Sequence, residues 1–496
     1  MKKFIVSSLL FAFTSALSAQ TTLSLDSCRA LALKNNKQIN IAKLKQDMAA
    51  YTRKAAKTKY LPHVDFLGGY EFMSKEISIL NNRQKGLLGN LGTTASGQIG
   101  GTMSSAISDM LAKGLIDQQT ADAIGGLANK VTAGIQESGN SIGQSIKDAF
   151  RTDTRNIFTA SVMLTQPIFM GGSITAANKM AEISEQLAAN DLHNKMQGMA
   201  FDIDNTYWTV VSLKHKEQLA TSYLELVKKL SSDVHKMIKE GVATKADGLK
   251  VDVKVNEAEM QLTEVGNGVS LAKMLLCQLC GIPISKDITL ADESAESVSE
   301  DNALPSKNID AALEDRVELK MLQNAIDLSR QTTNLTRAAY LPQVALTAGY
   351  LVTNPNLYNG FEKKFSGVWN VGVIARIPIW NWFEGKYKIR ASKTATSIAM
   401  MELDETKEKI ELQINQCSYK VSEAEKKLSL AKKSTEQADE NLRCANLGFK
   451  EGVMDVTDVM AAQTAWLQAR SQKIDSEIGL RLAQTGLKKA LGDTLY

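Results

Sequence analysis

Few residues of this chain are placed to make or break bonds. Cys277 and Cys280 form a Cys-x-x-Cys pair, a spacing that serves thiol–disulfide exchange or a soft metal. The corresponding helix end later in the chain, Leu487 to Asp493, has no cysteine, so the pair is read as buried helix packing. Five cysteines are too few and too scattered for a disulfide framework. His63, His193, His215 and His235 have no carboxylate or cysteine at ligand spacing, and no phosphate loop or nucleophile motif occurs. The expectation is no enzyme, no cofactor and no metal site. What remains are two acids, Asp247 and Asp458, each following a Lys-Glu-Gly-Val stretch, at Lys239–Val242 and Lys450–Val453.

These twin stretches belong to a larger duplication. Tyr60-Leu61-Pro62 recurs as Tyr340-Leu341-Pro342, and with the same offset Ala32-Leu33 falls on Ala312-Leu313 and Asn35-Asn36 on Asp315-Arg316. Further on, Pro167 pairs with Pro378, Gly241 with Gly452, Asp247 with Asp458 and Gly281 with Gly492, all at one shorter offset. The difference between the offsets is an insertion of about 69 residues in the first copy, between Tyr70 and Pro167. The organisation predicted is a signal peptide over 1–19, a first repeat over 20–282 with the insertion at 76–150, a linker over 283–309 and a second repeat over 310–496.

The amino terminus has Lys2 and Lys3, an apolar run from Phe4 to Phe13 and small residues through Ser18-Ala19, the pattern of an export signal. No later stretch is long and apolar enough for a membrane helix. A formal net charge of +4, with lysine and glutamate interspersed, gives no case for nucleic acid.

After each Tyr-Leu-Pro the chain alternates: Val64, Phe66, Tyr70 and Phe72 against Asp65, Leu67, Gly69 and Glu71, and Val344, Leu346, Ala348, Tyr350 and Val352 against Gln343, Ala345, Thr347 and Gly349. The runs before Pro167 and Pro378 alternate likewise. Four strands of about 9 to 11 residues, each with one oily face, have the length of tilted membrane strands. Four cannot close a barrel, for which about eight is the minimum, so several chains must share one.

None of the seven prolines lies between Pro167 and Pro283, and none follows Pro378. Apolar residues recur in steps of three and four through Met196, Met199, Ile203, Tyr207, Val210 and Leu213, then Leu219, Tyr223, Leu226, Leu230, Val234 and Met237. This predicts one helix from Gly171 to about Lys239, about 100 Å long at 1.5 Å per residue. Val251, Val255, Ala258, Leu262, Val265, Val269 and Ala272 form a returning coiled-coil seam that ends near Gly281. It covers half of the long helix, and a helix from about Ser24 to Tyr60 covers the rest.

With its duplicated Tyr-Leu-Pro strand entries, strands ending in proline with Gly171-Gly172 or Gly385 shortly after, Gly-Val turns followed by an acid, and helix ends at Gly281 and Gly492, the chain resembles the TolC-like outer-membrane efflux proteins, or outer membrane factors. That resemblance implies a mostly α fold with a membrane β-barrel portion. It also implies a homotrimer in the outer-membrane lipid, whose barrel continues into a periplasmic tunnel of long coiled-coil helices. It implies the exit duct of a tripartite efflux pump or type I secretion system, meeting a periplasmic adaptor (membrane fusion) protein and through it an inner-membrane transporter. By the same resemblance Gly241, Val242 and Thr244, with Gly452, Val453 and Asp455, are the adaptor-contacting tips, and Asp458 and Asp247 mark the pore constriction. Two readings of Asp458 stand: three copies focusing a cation-attracting field at a constriction, or an acid that suits a helix start. The alternative for the whole chain is an exported soluble coiled-coil interaction protein that never enters the membrane. The insertion, rich in glycine, serine and alanine, joins two strands at the end away from the helices, which places it extracellularly, as short amphipathic helices in a flexible loop.

Overall fold

A computed structural model describes residues 22–76, 78–151, 154–294, 308–359 and 361–495. The expected signal peptide and much of the expected linker lie outside the described residues. In chain order the elements are β1 (Thr22–Leu23), α1 (Leu25–Asn35), α2 (Lys37–Thr58), β2 (His63–Phe72), α3 (Asn82–Gly89), α4 (Leu91–Ala112), α5 (Gln118–Ala149), β3 (Asn156–Met170), α6 (Ser173–Lys239), α7 (Lys245–Cys280), β4 (Thr289–Leu290), α8 (Ile309–Asp315), α9 (Val317–Ala338), β5 (Gln343–Asn354), β6 (Ser366–Arg376), α10 (Glu384–Lys450) and α11 (Val456–Ala490). They form two compact units, one of Lys59–Gly171 with Leu341–Pro378 and one of the remaining described residues.

The first unit holds an antiparallel sheet in the order β2-β3-β5-β6. Its register lines up Phe66, Val162, Tyr350 and Trp369 in one row across all four strands, and Val64, Leu164, Ala348 and Val371 in another. On the opposite face Asp65, Met163, Gly349 and Asn370 form a row, and His63, Thr165, Thr347 and Gly372 the next. The expected oily and polar faces are therefore assembled across the whole sheet. The oily row is uncovered within the chain: Phe66 is 73% exposed and Trp369 75%. The strands differ from expectation in one respect. β3 has 15 residues and continues through Pro167 to Met170, with a register shift at Pro167/Phe169. Proline has no N–H to give to a ladder, and an irregularity is where a sheet tolerates it.

The insertion is helical through most of its length rather than short helices in a loop. α4 and α5 pack at close range, because a side chain on Gly92 would run into the backbone of Gln136 and Asn140, and one on Gly139 into Gly92. The glycines that suggested flexibility instead permit this contact.

In the helical unit α6 and α10 each have 67 residues. α6 packs on α7 over the half that ends at Lys239 and on α2 and α9 over the other, and α10 packs on α11 and α9. Every residue of the predicted stripe on α6 and of the seam on α7 is buried or half-buried. The expected single helix from Ser24 is instead two, α1 and α2, broken at Asn36, and the second repeat is broken at the matching residue, Arg316. Both breaks do the same work. Asn36 Nδ2 donates to the Leu279 carbonyl at 2.8 Å, and Arg316 Nη1 donates to the Ala490 carbonyl at 2.9 Å. The last carbonyls of a helix lack intrahelical partners, and each break supplies one. A glycine follows each helix end with left-handed backbone, Gly281 at φ 69° and Gly492 at φ 76°.

The two glycines differ in how tightly they are enclosed. A Cβ on Gly281 would lie 2.7 Å from the backbone carbon of Asn35, whereas one on Gly492 would meet Asp315 Cβ at 3.3 Å. Left-handed strain in an L residue is about 1–2 kcal/mol. Gly492→Ala is therefore expected to lower stability by about 1–2 kcal/mol, and Gly281→Ala by about 2–4 kcal/mol because backbone must also shift. Denaturant unfolding followed by helix ellipticity checks this, and equal losses would mean that the Asn35 contact is unimportant.

Candidate functional site

The candidate site comprises the two helical turns, α6 to α7 and α10 to α11. Each long helix ends in the same way. Gly241 N–H donates to the Ile238 carbonyl at 3.1 Å and Val242 N–H to Met237 at 2.9 Å, and Gly452 and Val453 donate to Phe449 at 3.2 Å and Gly448 at 2.8 Å. This nested pair of bonds requires left-handed backbone at the first residue of each pair, and Gly241 and Gly452 have φ of 78° and 73°. Beyond the glycine a valine projects outward, Val242 at 71% exposure and Val453 at 82%. Nothing lies within 4 Å of where a Cβ on either glycine would be.

The returning helices also begin alike. Thr244 is the N-cap of α7: Asp247 N–H donates to its hydroxyl oxygen at 3.2 Å, while Thr244 N–H donates back to Asp247 Oδ2 at 3.2 Å. Asp455 is the N-cap of α11, accepting from Asp458 N–H at 2.9 Å, with Asp455 N–H reaching Asp458 Oδ2 at 3.4 Å. The sequence named all eight residues, and the structure gathers them into two copies of one motif: glycine-terminated helix, exposed valine, reciprocal capping box. Of the two readings of Asp458, the helix-start role is thus realised within one chain. The two acids differ in their neighbours. Lys250 Nζ lies 3.4 Å from Asp247 Oδ1, but the position matching Lys250 after Asp458 is Ala461. The Thr244 hydroxyl and backbone, and then Lys250, hold the Asp247 carboxyl below its ordinary value.

Polar clamps behind each turn escaped the sequence reading. His235 Nε2 lies 3.1 Å from both oxygens of Asp252, and Ser231 donates to the same carboxylate at 2.9 Å, tying α6 to α7. Asp252 is held below the usual carboxylate range, chiefly by Ser231. Spacing along the sequence could not show this pair, because the carboxylate partner of His235 sits across a hairpin, 17 residues away. On the other pair Asp439 accepts from Trp466 Nε1 at 2.7 Å and from Arg470 at 3.1 and 3.0 Å.

Also unread was the strand-to-helix corner of the second repeat. Gly171 and Gly172, at φ 63° and 86°, correspond not to Gly385 but to Trp382 and Phe383, which hold left-handed φ of 50° and 61°. Gly385 has a different task, making room for the Tyr340 ring, from which a Cβ would be 2.9 Å away. Trp382 is 81% exposed, and its ring and that of Phe383 pack edge-on against Trp380 at 5.7 and 5.5 Å. Bulky aromatic residues seldom occupy this conformation, and exposed tryptophan is what a membrane–water boundary favours. The run Trp380-Asn381-Trp382-Phe383 was the available signal.

A family model described as outer membrane efflux protein matches residues 103–281 and 308–493. The cobalt-zinc-cadmium resistance protein CzcC of Cupriavidus metallidurans is 23% identical over 326 residues, covering 64% of this chain and 73% of that protein. Protein CyaE of Bordetella pertussis is 21% identical, covering 67% of this chain and 70% of that one. Among solved structures, the outer-membrane channel OprN superposes with a TM-score of 0.71 at 13% identity, covering 95% of this chain and 90% of that chain. The outer membrane protein VceC of Vibrio cholerae does so with a TM-score of 0.68 at 14% identity, covering 95% and 97%. The fold is that of the TolC-like channels, and the soluble coiled-coil alternative is set aside. Because the matched residues take in both turns and both glycine-ended helices of the duplication, the chain belongs to the outer membrane efflux protein family and is a protein of the outer membrane.

Proposed function

We propose that three copies of this chain form one passive export duct, each contributing four strands to a twelve-stranded barrel and its long helices to a periplasmic tunnel. The observation that carries the reading is the sheet. Its oily rows are uncovered, β2 and β6 are open edges, and an open edge in lipid leaves backbone groups without partners. Pairing β6 of one copy with β2 of the next removes every edge. The insertion, which links the strand ends away from the helix connections, faces the cell exterior. The turns at Gly241 and Gly452 meet a periplasmic adaptor that couples the duct to an inner-membrane transporter. Drugs or other small molecules are the cargo. Relatives include both a metal-resistance protein and an alkaline protease secretion protein, so the alternative cargo is a secreted protein.

Asp458 is the stronger candidate for a charged ring at the constriction, since Lys250 partly neutralises Asp247 whereas Ala461, at the matching position, offers Asp458 no such cation. Three such charges around one axis attract cations. In planar bilayers, with residues 76–150 deleted so that the outer mouth is open, divalent cations added on the periplasmic side should block current. Asp458→Ala should weaken both block and cation selectivity while trimers persist in detergent. Block and selectivity surviving this change would leave Asp458 a helix-start residue alone.

The tips are tested by filling the open space beside each glycine. Asparagine tolerates left-handed backbone, so Gly241→Asn with Gly452→Asn preserves the turns. The pair should lower resistance to exported compounds while the trimer remains intact on heat-sensitive gels. Undiminished resistance would remove the tips from adaptor docking.

The capping box of α7 carries a pH signature. A carboxyl whose folded pKa is depressed contributes stability that is present above its unfolded value of about 3.9 and lost as pH falls through the folded value. Amide hydrogen exchange over residues 242–250 should therefore speed up as pH drops below about 4, after correction for intrinsic rates. Asp247→Asn should flatten that profile, and an unchanged profile would show that the box adds nothing.

A further inference from the structure

Where α7 ends against α1, two thiols from opposite ends of the first repeat meet. Cys28 and Cys280 are fully buried in one apolar cluster with Ile39, Ile203, Tyr207 and Leu276. Cys280 Sγ lies 3.7 Å from the Cys28 carbonyl oxygen, so the end of α7 turns this sulfur onto the residue that carries the other thiol. Cys277, one helical turn away, faces elsewhere: its sulfur is directed to the Lys286 carbonyl at 3.7 Å. The Cys-x-x-Cys spacing is thus a coincidence of one helix, and the facing pair is Cys28 with Cys280.

The second repeat shows what the pair accomplishes. There the helix end is held by Arg316, which donates to the carbonyls of Ala490 and Lys489 and binds Glu318 through Nε and Nη2 and Gln413 through Nη2. In the first repeat the matching residue is the neutral Asn36, with one carbonyl bond at 2.8 Å and a contact to Met199 sulfur at 3.6 Å. The junction with the weaker polar clamp is the one that carries facing thiols, and an outer-membrane protein reaches its site through an oxidising compartment.

We propose that Cys28 and Cys280 are joined by a disulfide in the exported protein, a covalent staple between the first helix and the end of α7. The two thiols give up two protons and two electrons as the sulfur–sulfur bond forms. The acceptor is the disulfide of a thiol–disulfide oxidoreductase, which leaves as its dithiol. Formation precedes closure of α1 over the cluster, because in the packed helices both sulfurs are fully buried and closed to an oxidoreductase. Cys277, Cys417 and Cys444 stay reduced.

The full-length protein, extracted from outer membranes in detergent with acid quenching, is denatured and alkylated with iodoacetamide, with and without prior reduction. Trypsin then yields one peptide ending at Arg29 and another spanning residues 274–286. Without reductant the two should appear as one linked species, fragmenting to a bond at Cys280 with Cys277 alkylated, and exposed Cys444 serves as the labelled control. Cys277→Ser should keep the link and the reductant-dependent fall in trimer dissociation temperature, whereas Cys28→Ser and Cys280→Ser should abolish both. Alkylation of Cys28 and Cys280 without reductant, or a bond mapping to Cys277, overturns the proposal. The wild-type digest decides even where a variant fails to accumulate.

Discussion

A sheet in lipid has to leave no edge, and four strands cannot meet that condition alone. The uncovered row of Phe66, Val162, Tyr350 and Trp369 asks for lipid, and the free edges of β2 and β6 ask for partner strands, which in the proposed duct come from other copies of the same chain. Much else follows from these two demands. If several chains share one barrel, the helix that follows each hairpin must share one wall. Two helices of equal length, 67 residues each, are what a wall built from equivalent halves requires.

The duplication sets the same physical task twice, and the answers differ where chemistry allows a choice. A helix's last carbonyls need donors; one repeat uses Asn36 and the other Arg316. A capping box needs a side-chain acceptor ahead of an acid; one uses Thr244, the other Asp455. The strand-to-helix corner needs left-handed backbone; one uses two glycines, the other Trp382 and Phe383 at a cost of about 1–3 kcal/mol each. The glycines that end the helices, Gly241 with Gly452 and Gly281 with Gly492, are by contrast the same in both copies. At those places backbone conformation alone is demanded, and no other residue meets it as cheaply.

This pattern accounts for what could be read in the sequence. Periodicity reports burial, so the stripes on α6 and α7, the alternation of the strands and the equal repeats were legible. So were the turns, because glycine and a capping acid act through local backbone. The breaks at Asn36 and Arg316 were not, since each depends on a carbonyl more than 170 residues away. The meeting of Cys28 with Cys280 was hidden for the same reason, and the pairing of His235 with Asp252 because it crosses the hairpin from one helix to the next. The insertion misled because glycine was read as freedom, when at Gly92 and Gly139 it marks helices too close for a side chain.

The two readings of Asp458 are less opposed than they looked. Capping engages Oδ2, with Asp455 N–H at 3.4 Å, and leaves Oδ1 without a bond from that box. A carboxylate at the first turn of a helix faces the positive end of the helix dipole, which offsets part of its charge, roughly half of one unit spread over several N–H groups. Three such residues around an axis would attract cations less strongly than three bare carboxylates, and would repel one another less when brought together. The same capping that softens the field also fixes the direction of each carboxylate, because the box holds its side chain to the helix start. In the proposed trimer a ring built this way would trade field strength for a defined radius, and that radius would be set by where α11 begins.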